Sequence, residues 1–310
     1  MRSVAKGVVS VLLATMLVGG LTATGASAED PVYIPWSQLL PGLTNEYVPG
    51  ASNDCQSGRI KCVDSVIREM TRRFQPLSNA CSHDAVFALT YLRTTEEYRR
   101  SVADGTFFQD TPFVNHQDAI FARYYFEAYD AYHSGNLAAT PPAWRIAFDA
   151  AKNQTVNASG NLLLGMSAHV NRDLAFVLAD IGLVKPDGTS RKADHDKVNE
   201  FLNRVMEPLL AEVAAHYDPT ADDTMIDGTT LDATALLQLL VVWREGAWRN
   251  AERLVMAPTP AARAQVAQDI ENTAALAAQG LVASSRYTPL DNLTGRGPAA
   301  RNAFCAAHHE

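Results

Sequence analysis

The sequence predicts an all-α fold, a single domain of about eight main helices, and three observations carry that prediction. Apolar residues recur at three- and four-residue spacing along most of the chain, as at Val63, Val66, Ile67, Met70 and Phe74. No segment alternates apolar and polar residues with period two, and there is no fixed repeat or heptad run. Helix-starting residues stand where periodic segments begin, as Pro141-Pro142 does ahead of Trp144, Ile146 and Phe148.

In chain order, residues 1–28 place Arg2 and Lys6 before an apolar run that ends in Ala26-Ser27-Ala28. This is the order of a secretory signal peptide, with cleavage expected after Ala28. Residues 29–62 read as an irregular arm rich in Pro, Gly and Asn, residues 63–285 as the helical domain, and residues 286–310 as a C-terminal tail packed on it. The first helix is expected to end at Pro76. A segment Ser82–Leu92 and a shorter helix opened by a Thr94/Glu97 capping box follow. In Asn115–His133, His116 shares a face with Arg123, Glu127 and Asp130 and is expected to be exposed. His133 lies among Ala119, Ala122, Phe126 and Tyr129 and is expected to point inward. After the Trp144 helix comes Asn161–Leu183. Next is a helix over Lys197–Tyr217, capped by Asp194 or Asp196 and kinked at Pro208. A long helix capped by Thr229 and Asp232 then buries Leu236, Leu239, Leu240, Trp243, Ala247, Asn250 and Leu254, and an Ala-rich helix covers Ala261–Leu281.

The 310 residues carry 26 Lys+Arg against 34 Asp+Glu, a net charge of -8. Loss of Arg2 and Lys6 with the leader leaves 24 bases against 34 acids, or -10. With no Lys/Arg-rich run, binding to nucleic acid by charge attraction is excluded. The longest apolar run beyond the leader, Ala235–Trp243, is too short to span a bilayer, so a secreted protein with no transmembrane segment is expected. Oligomeric state leaves no mark on the sequence. All four cysteines lie beyond the leader, and an even number in an oxidising compartment implies two disulfides. Of three possible pairings, Cys55–Cys62 with Cys81–Cys305 is preferred. The first closes a small loop and the second pins the C-terminus beside His83. Zinc on these cysteines is the poorer reading, since C-x-x-C spacing is absent.

Asn161–Leu183 is the most hydrophobic segment after the leader, yet it carries His169, Asn171, Arg172 and Asp173. At helical pitch His169 and Asp173 lie one turn apart on one face, with Arg172 and Asp180 on the same side. Two ligands one turn apart can grip one metal. The stripe is open to three readings: a functional site, a buried structural network, or an exposed polar strip. The catalytic candidates are His169, Asp173, Arg172 and His195; the metal candidates are His169, Asp173, His133 and His83, with a divalent ion such as zinc as cofactor. Asp194-His195-Asp196 reads either as an oriented histidine or as a helix cap, with Arg191 and Lys192 as a positive handle. The acidic loop before the long helix fails the EF-hand pattern, because Met225 stands where an oxygen ligand belongs. No nucleophile elbow, phosphate loop or dinucleotide fingerprint is present. Two functions therefore stay open. In one, a metal on His169, Asp173 and His133 activates water to hydrolyse an ester or phosphoester, while Arg172 or Arg191 meets negative charge. In the other, a non-catalytic protein holds an apolar small molecule between helices, beside Trp243 and Trp248, and the polar centre is structural.

The run LLLGMSAHVNRDLAFVLADIGL, then Gly188 and SRKADHDKVN (190–199), resembles the signature of a family of exported and cytoplasmic actinobacterial proteins classed as a domain of unknown function. The resemblance runs from about Val63 to Leu281 and includes the Trp144 helix. It implies a helical domain and a bacterial origin and carries no activity. A partial similarity is to zinc-dependent phospholipase C and P1-type nucleases, whose H-x-x-x-D pairs His169 and Asp173 match. That group has two such pairs and an N-terminal Trp ligand, whereas this chain has one pair and Glu29 at its expected mature start. The similarity thus implies one or two metals at most.

Overall fold

Ala158–Ile181, a 24-residue helix, runs through the middle of the molecule. Leu162, Leu163, Leu164, Ala168, Leu174, Ala175, Val177 and Leu178 are all buried, so for most of its length it has no solvent face. The computed structural model describes residues 43–221, 225–226, 229–230 and 233–309, and the architecture is all-α. Helices α1 (Ile60–Asn79), α2 (Ala85–Ser101), α3 (Thr111–His133) and α4 (Pro142–Lys152) precede the central element. That element consists of α5 (Ala158–Ser167), a π turn (Ala168–Asp173) and α6 (Leu174–Ile181). Then come α7 (Lys192–His216), α8 (Ala233–Met256), α9 (Pro260–Ser285), α10 (Pro289–Leu293) and α11 (Pro298–His308). A two-residue antiparallel ladder, Met225–Ile226 with Thr229–Thr230, lies between α7 and α8.

Helices α2, α3, α4, α8 and α9 pack around the central helix. Its composition would suit a bilayer span, at mean hydropathy 1.2, but 78% of its most apolar 18-residue stretch is buried inside the chain, as in a core helix. Asn157 starts it by accepting the Gly160 N–H at 2.8 Å, and Gly182 stops it with φ 96. Gly165 allows α2 to come close: a Cβ there would sit 2.2 Å from Cγ of Phe87.

Both disulfides pair as preferred, Cys55–Cys62 and Cys81–Cys305. The second closes a span of 224 residues, and the chain-entropy account gives a loop of that size about 5 kcal/mol of stabilisation. It does so with help from Arg301, buried on α11, which donates to Oδ1 of Asn161 at 2.7 Å and so ties the tail to the central helix.

Several local expectations are corrected by packing. Helix α1 continues through Pro76 to Asn79, because a proline in the last turn interrupts too little of the ladder to stop it. Thr94 caps nothing; it sits inside an unbroken α2 and its hydroxyl donates to the Thr90 carbonyl. His116 is fully buried, because the arm covers its face of α3 and presents the Cys55 and Asn45 carbonyls to its ring. Asp194 accepts the Gln109 and Asp110 N–H groups at 2.8 and 3.0 Å, which binds the loop before α3 rather than capping α7. The tail, whose sequence from Arg286 predicts irregular structure as far as Cys305, is helical at α10 and α11. In α8 the buried stripe is Leu236, Leu240, Arg244, Ala247, Trp248, Ala251 and Leu254, so Arg244 points inward in place of Trp243. The leader and the cap at Asp232 lie outside the described residues.

The close approach of α2 sets a test. Gly165→Ala should destabilise the fold by about 1–3 kcal/mol through overpacking against Phe87. Gly246→Ala in α8, where an added methyl meets nothing within 4 Å, should be neutral or stabilising. Urea denaturation of the two variants beside wild type measures both.

Candidate active site at His169

At the π turn the helix carries its one fully buried acid. Asp173 is 0% exposed, and its carboxylate is bonded on both oxygens. Oδ2 accepts Nε1–H of Trp144 at 2.8 Å and Nδ1–H of His169 at 2.9 Å, while Oδ1 accepts from Arg172 at 2.7 Å. Arg172 in turn reaches Glu271 on α9 at 2.7 Å. Burial pushes the Asp173 pKa up, but the His169 bond and the Arg172 charge outweigh it and hold the carboxylate below its ordinary range. Since an ionised carboxylate only accepts, the His169 proton sits on Nδ1 and Nε2 is left as a lone-pair acceptor. Burial lowers the His169 pKa against the pull of Asp173, so the ring is neutral.

Nε2 of His169 is buried without a partner, and the residue lines a cavity of about 110 Å³. The walls are mainly apolar: Phe87 and Tyr91 from α2, Phe121 from α3, Leu174 from the central helix, Phe201 and Leu202 from α7, and Leu240 from α8. Phe121 stacks on His169 with ring centroids 3.5 Å apart, and Tyr91 meets it edge-on at 4.6 Å. Two more unpartnered buried atoms belong to cavity-lining residues, the Tyr91 hydroxyl and Oδ2 of Asp118. Asp118 as a residue keeps partial exposure, yet this oxygen is shut off from solvent. Burial raises its carboxyl to about 7 and raises the Tyr91 phenol well above its ordinary value, with Asp118 and Asp173 adding to the effect. Arg244 completes the wall, held by Oδ1 of Asn199 at 2.9 Å and by the His195 carbonyl at 2.5 Å; burial brings its pKa down to about 10.

Of the three readings of the polar stripe, exposure is overturned for His169 and Asp173, which the neighbouring helices cover, while Asp180 at its far end is exposed. Nor does the structure gather the proposed metal ligands. His133 faces Asp84 at 3.4 Å and packs on Tyr129 and Phe148. His83 is wedged in the tail, taking Arg301 on Nδ1 and giving Nε2–H to Asn302, both at 3.0 Å; burial and the Arg301 charge lower its pKa to about 3. His195 donates Nε2–H to the Arg244 carbonyl at 3.1 Å and positions that arginine from behind. Asp180 faces outward to Tyr124 and Asn45. Arg191 stacks over Phe113 and pairs with Asp110. Trp248 packs on His195 and does not line the cavity. Among the described residues, the one cluster with ligand spacing is Cys81, Cys305 and His309, whose sulfurs are joined in the disulfide. At the centre itself, Asp173 already spends its oxygens on Trp144, His169 and Arg172.

Asp118, Tyr91 and Trp144 are not marked as site residues by any motif in the sequence. Asp118 had a signal: it stands four residues after Val114 and three before Phe121, so it shares their face of α3. Tyr91 and Trp144 looked like ordinary core aromatics.

The Asp118 carboxyl gives a pH prediction. Folded, it keeps its proton up to about pH 7; unfolded, it loses it near 4. The folded state thus binds more protons between these values, and this group's contribution to stability falls as pH rises through the window and stays low above it. The buried neutral histidines act in the opposite sense, so the quantity to follow is the difference between Asp118→Asn and wild type. The variant should gain stability relative to wild type from pH 4 to 7, by a few kcal/mol in all. Thermal melts across that range read it, and a constant difference would refute it.

The model of a family of unknown function, DUF5995, matches residues 63–284. No curated protein matches the chain, the zinc-dependent phospholipases and nucleases included. No solved structure matches it either.

Proposed function

The chain belongs to the DUF5995 family of unknown function, so its activity has to be read from the site, and we propose that it takes up a small, largely apolar molecule in the cavity at His169. The observation that carries this reading is Nε2 of His169, buried, unpartnered and held in one tautomer by Asp173. A structural network would close on itself, whereas three residues of the cavity wall, His169, Tyr91 and Asp118, each leave a buried polar atom open, at a cost of about 1–3 kcal/mol each when nothing serves them. A ligand with a hydrogen-bond donor serves Nε2. The volume sets the size: an apolar protein cavity of about 150 Å³ takes benzene, so about 110 Å³ suits a ring or short chain of similar bulk.

Phenol and benzene are suitable probes. Phenol should bind about tenfold more tightly, the worth of one added hydrogen bond to Nε2. Leu202→Trp, which fills the cavity from α7, should abolish both. Ligand-observed NMR titrations measure this, and equal affinities or binding indifferent to Leu202→Trp would remove the proposal.

We also propose that the protein works outside the cytoplasm after loss of residues 1–28. The order of charge, apolar run and small residues at the N-terminus supports this, as do two disulfides. Protein recovered from the culture medium of an expressing bacterium should begin at Glu29 by mass spectrometry; an intact Met1 there would contradict it.

A further inference from the structure

Hydrogen-bond acceptance by His169 leaves Tyr91 and Asp118 without a task, and their placement suggests one. We infer that the cavity is a proton-transfer site: His169 takes a proton from the carbon beside a carbonyl group, while Tyr91 and Asp118 hold the carbonyl oxygen. The inference rests on the small-molecule reading above and names its substrate class, a small enolisable ketone or aldehyde.

The base is prepared on both sides. Nε2 offers a lone pair to the cavity, and behind the ring Asp173 accepts the Nδ1 proton and stabilises the imidazolium formed when Nε2 is protonated. Trp144 fixes Asp173 from α4 at 2.8 Å. Two residues of other helices line the same cavity and carry buried oxygens without partners, the phenol of Tyr91 on α2 and the carboxyl of Asp118 on α3. Each carries a proton near neutral pH because of its burial. A phenol beside a protonated carboxyl in an apolar site is a known way to stabilise an enolate oxygen. Arg244 adds positive charge from α8, and the hydroxyl of Tyr98, the remaining titratable residue among the described wall, donates a hydrogen bond to Oδ1 of Asn115 at 2.5 Å.

The step balances without a co-reactant. The C–H bond breaks as the Nε2–H bond forms; its electron pair becomes the C=C bond, and the carbonyl π pair moves to oxygen, which takes a proton from Asp118. In the return step oxygen gives that proton back, and Nε2, once its proton has traded with solvent, delivers one to the same carbon, or it passes the abstracted proton to the far end of a conjugated system. The outcome is exchange or isomerisation with no change of oxidation state. Covalent hydrolysis through an enzyme nucleophile fits less well. Thr90, Thr94 and Thr95 each donate to the carbonyl four residues back in α2, and among the described residues no Ser or Cys lines the cavity.

Cyclohexanone in D₂O is the test, with loss of its α-proton NMR signal measuring transfer and ligand-observed NMR measuring binding. Wild type should speed exchange about 100-fold over buffer at pD 7. His169→Gln should abolish the gain, and Tyr91→Phe and Asp118→Ala should each reduce it at least about tenfold while still binding the ketone. The last two remove no hydrogen bond of the free protein, so they keep the test valid should His169→Gln fail to fold. Binding with exchange at the buffer rate, or with exchange equal in wild type and variants, overturns proton transfer and leaves the small-molecule reading intact. Absence of binding by both cyclohexanone and phenol overturns both.

Discussion

A carboxylate buried in the middle of an apolar helix must be ionised and fully bonded at the same time, and much of this molecule is arranged to meet that condition at Asp173. Its three donors come from within one turn of the helix and from α4: His169, Arg172 and Trp144. Arg172 then needs a second acceptor, which α9 provides in Glu271. The group therefore fixes how α4 and α9 lie against the central helix. Breaking such a pair by removing one member leaves a buried charge uncompensated, a cost of about 3–5 kcal/mol. The widened turn of the π segment falls on these residues, where irregular helix and function often coincide.

Around that polar point the requirements are those of close packing. A helix buried on all sides has to be covered by others, and α2 approaches so nearly that only a glycine fits at Gly165. The same approach brings Phe87 and Tyr91 to the His169 ring, from 6.1 and 4.6 Å between centroids. At the far end of the chain, Arg301 reaches the central helix through Asn161, on the same helix whose Cys305 is linked to Cys81. The cavity persists between these contacts, where aromatic rings from α2, α3 and α7 meet without filling the space beside Nε2.

The parts of the site that could be read from the chain were those made within one helix. His169 and Asp173 are four residues apart, so helical pitch alone puts them in contact. The assignment of Asp194 to a cap and of His116 to solvent failed for a common reason. Each expectation follows from the residue's own helix, and each outcome is decided by a loop packed against it, the segment at Gln109 in one case and the N-terminal arm in the other. His133 points inward as its apolar face predicts, yet it meets Phe148 and Asp84 rather than His169, since an apolar face does not say which neighbour it will meet.

By itself the sequence determined the all-helical class, the central place of Asn161–Leu183 and the pairing of His169 with Asp173, because periodicity and pitch are local properties, and its even cysteine count pointed to the two disulfides. Only the tertiary structure decided what Nε2 of His169 faces. Tyr91, Asp118 and Arg244 reach its cavity from α2, α3 and α8, and what brings them together is the packing of those helices rather than any spacing along the chain.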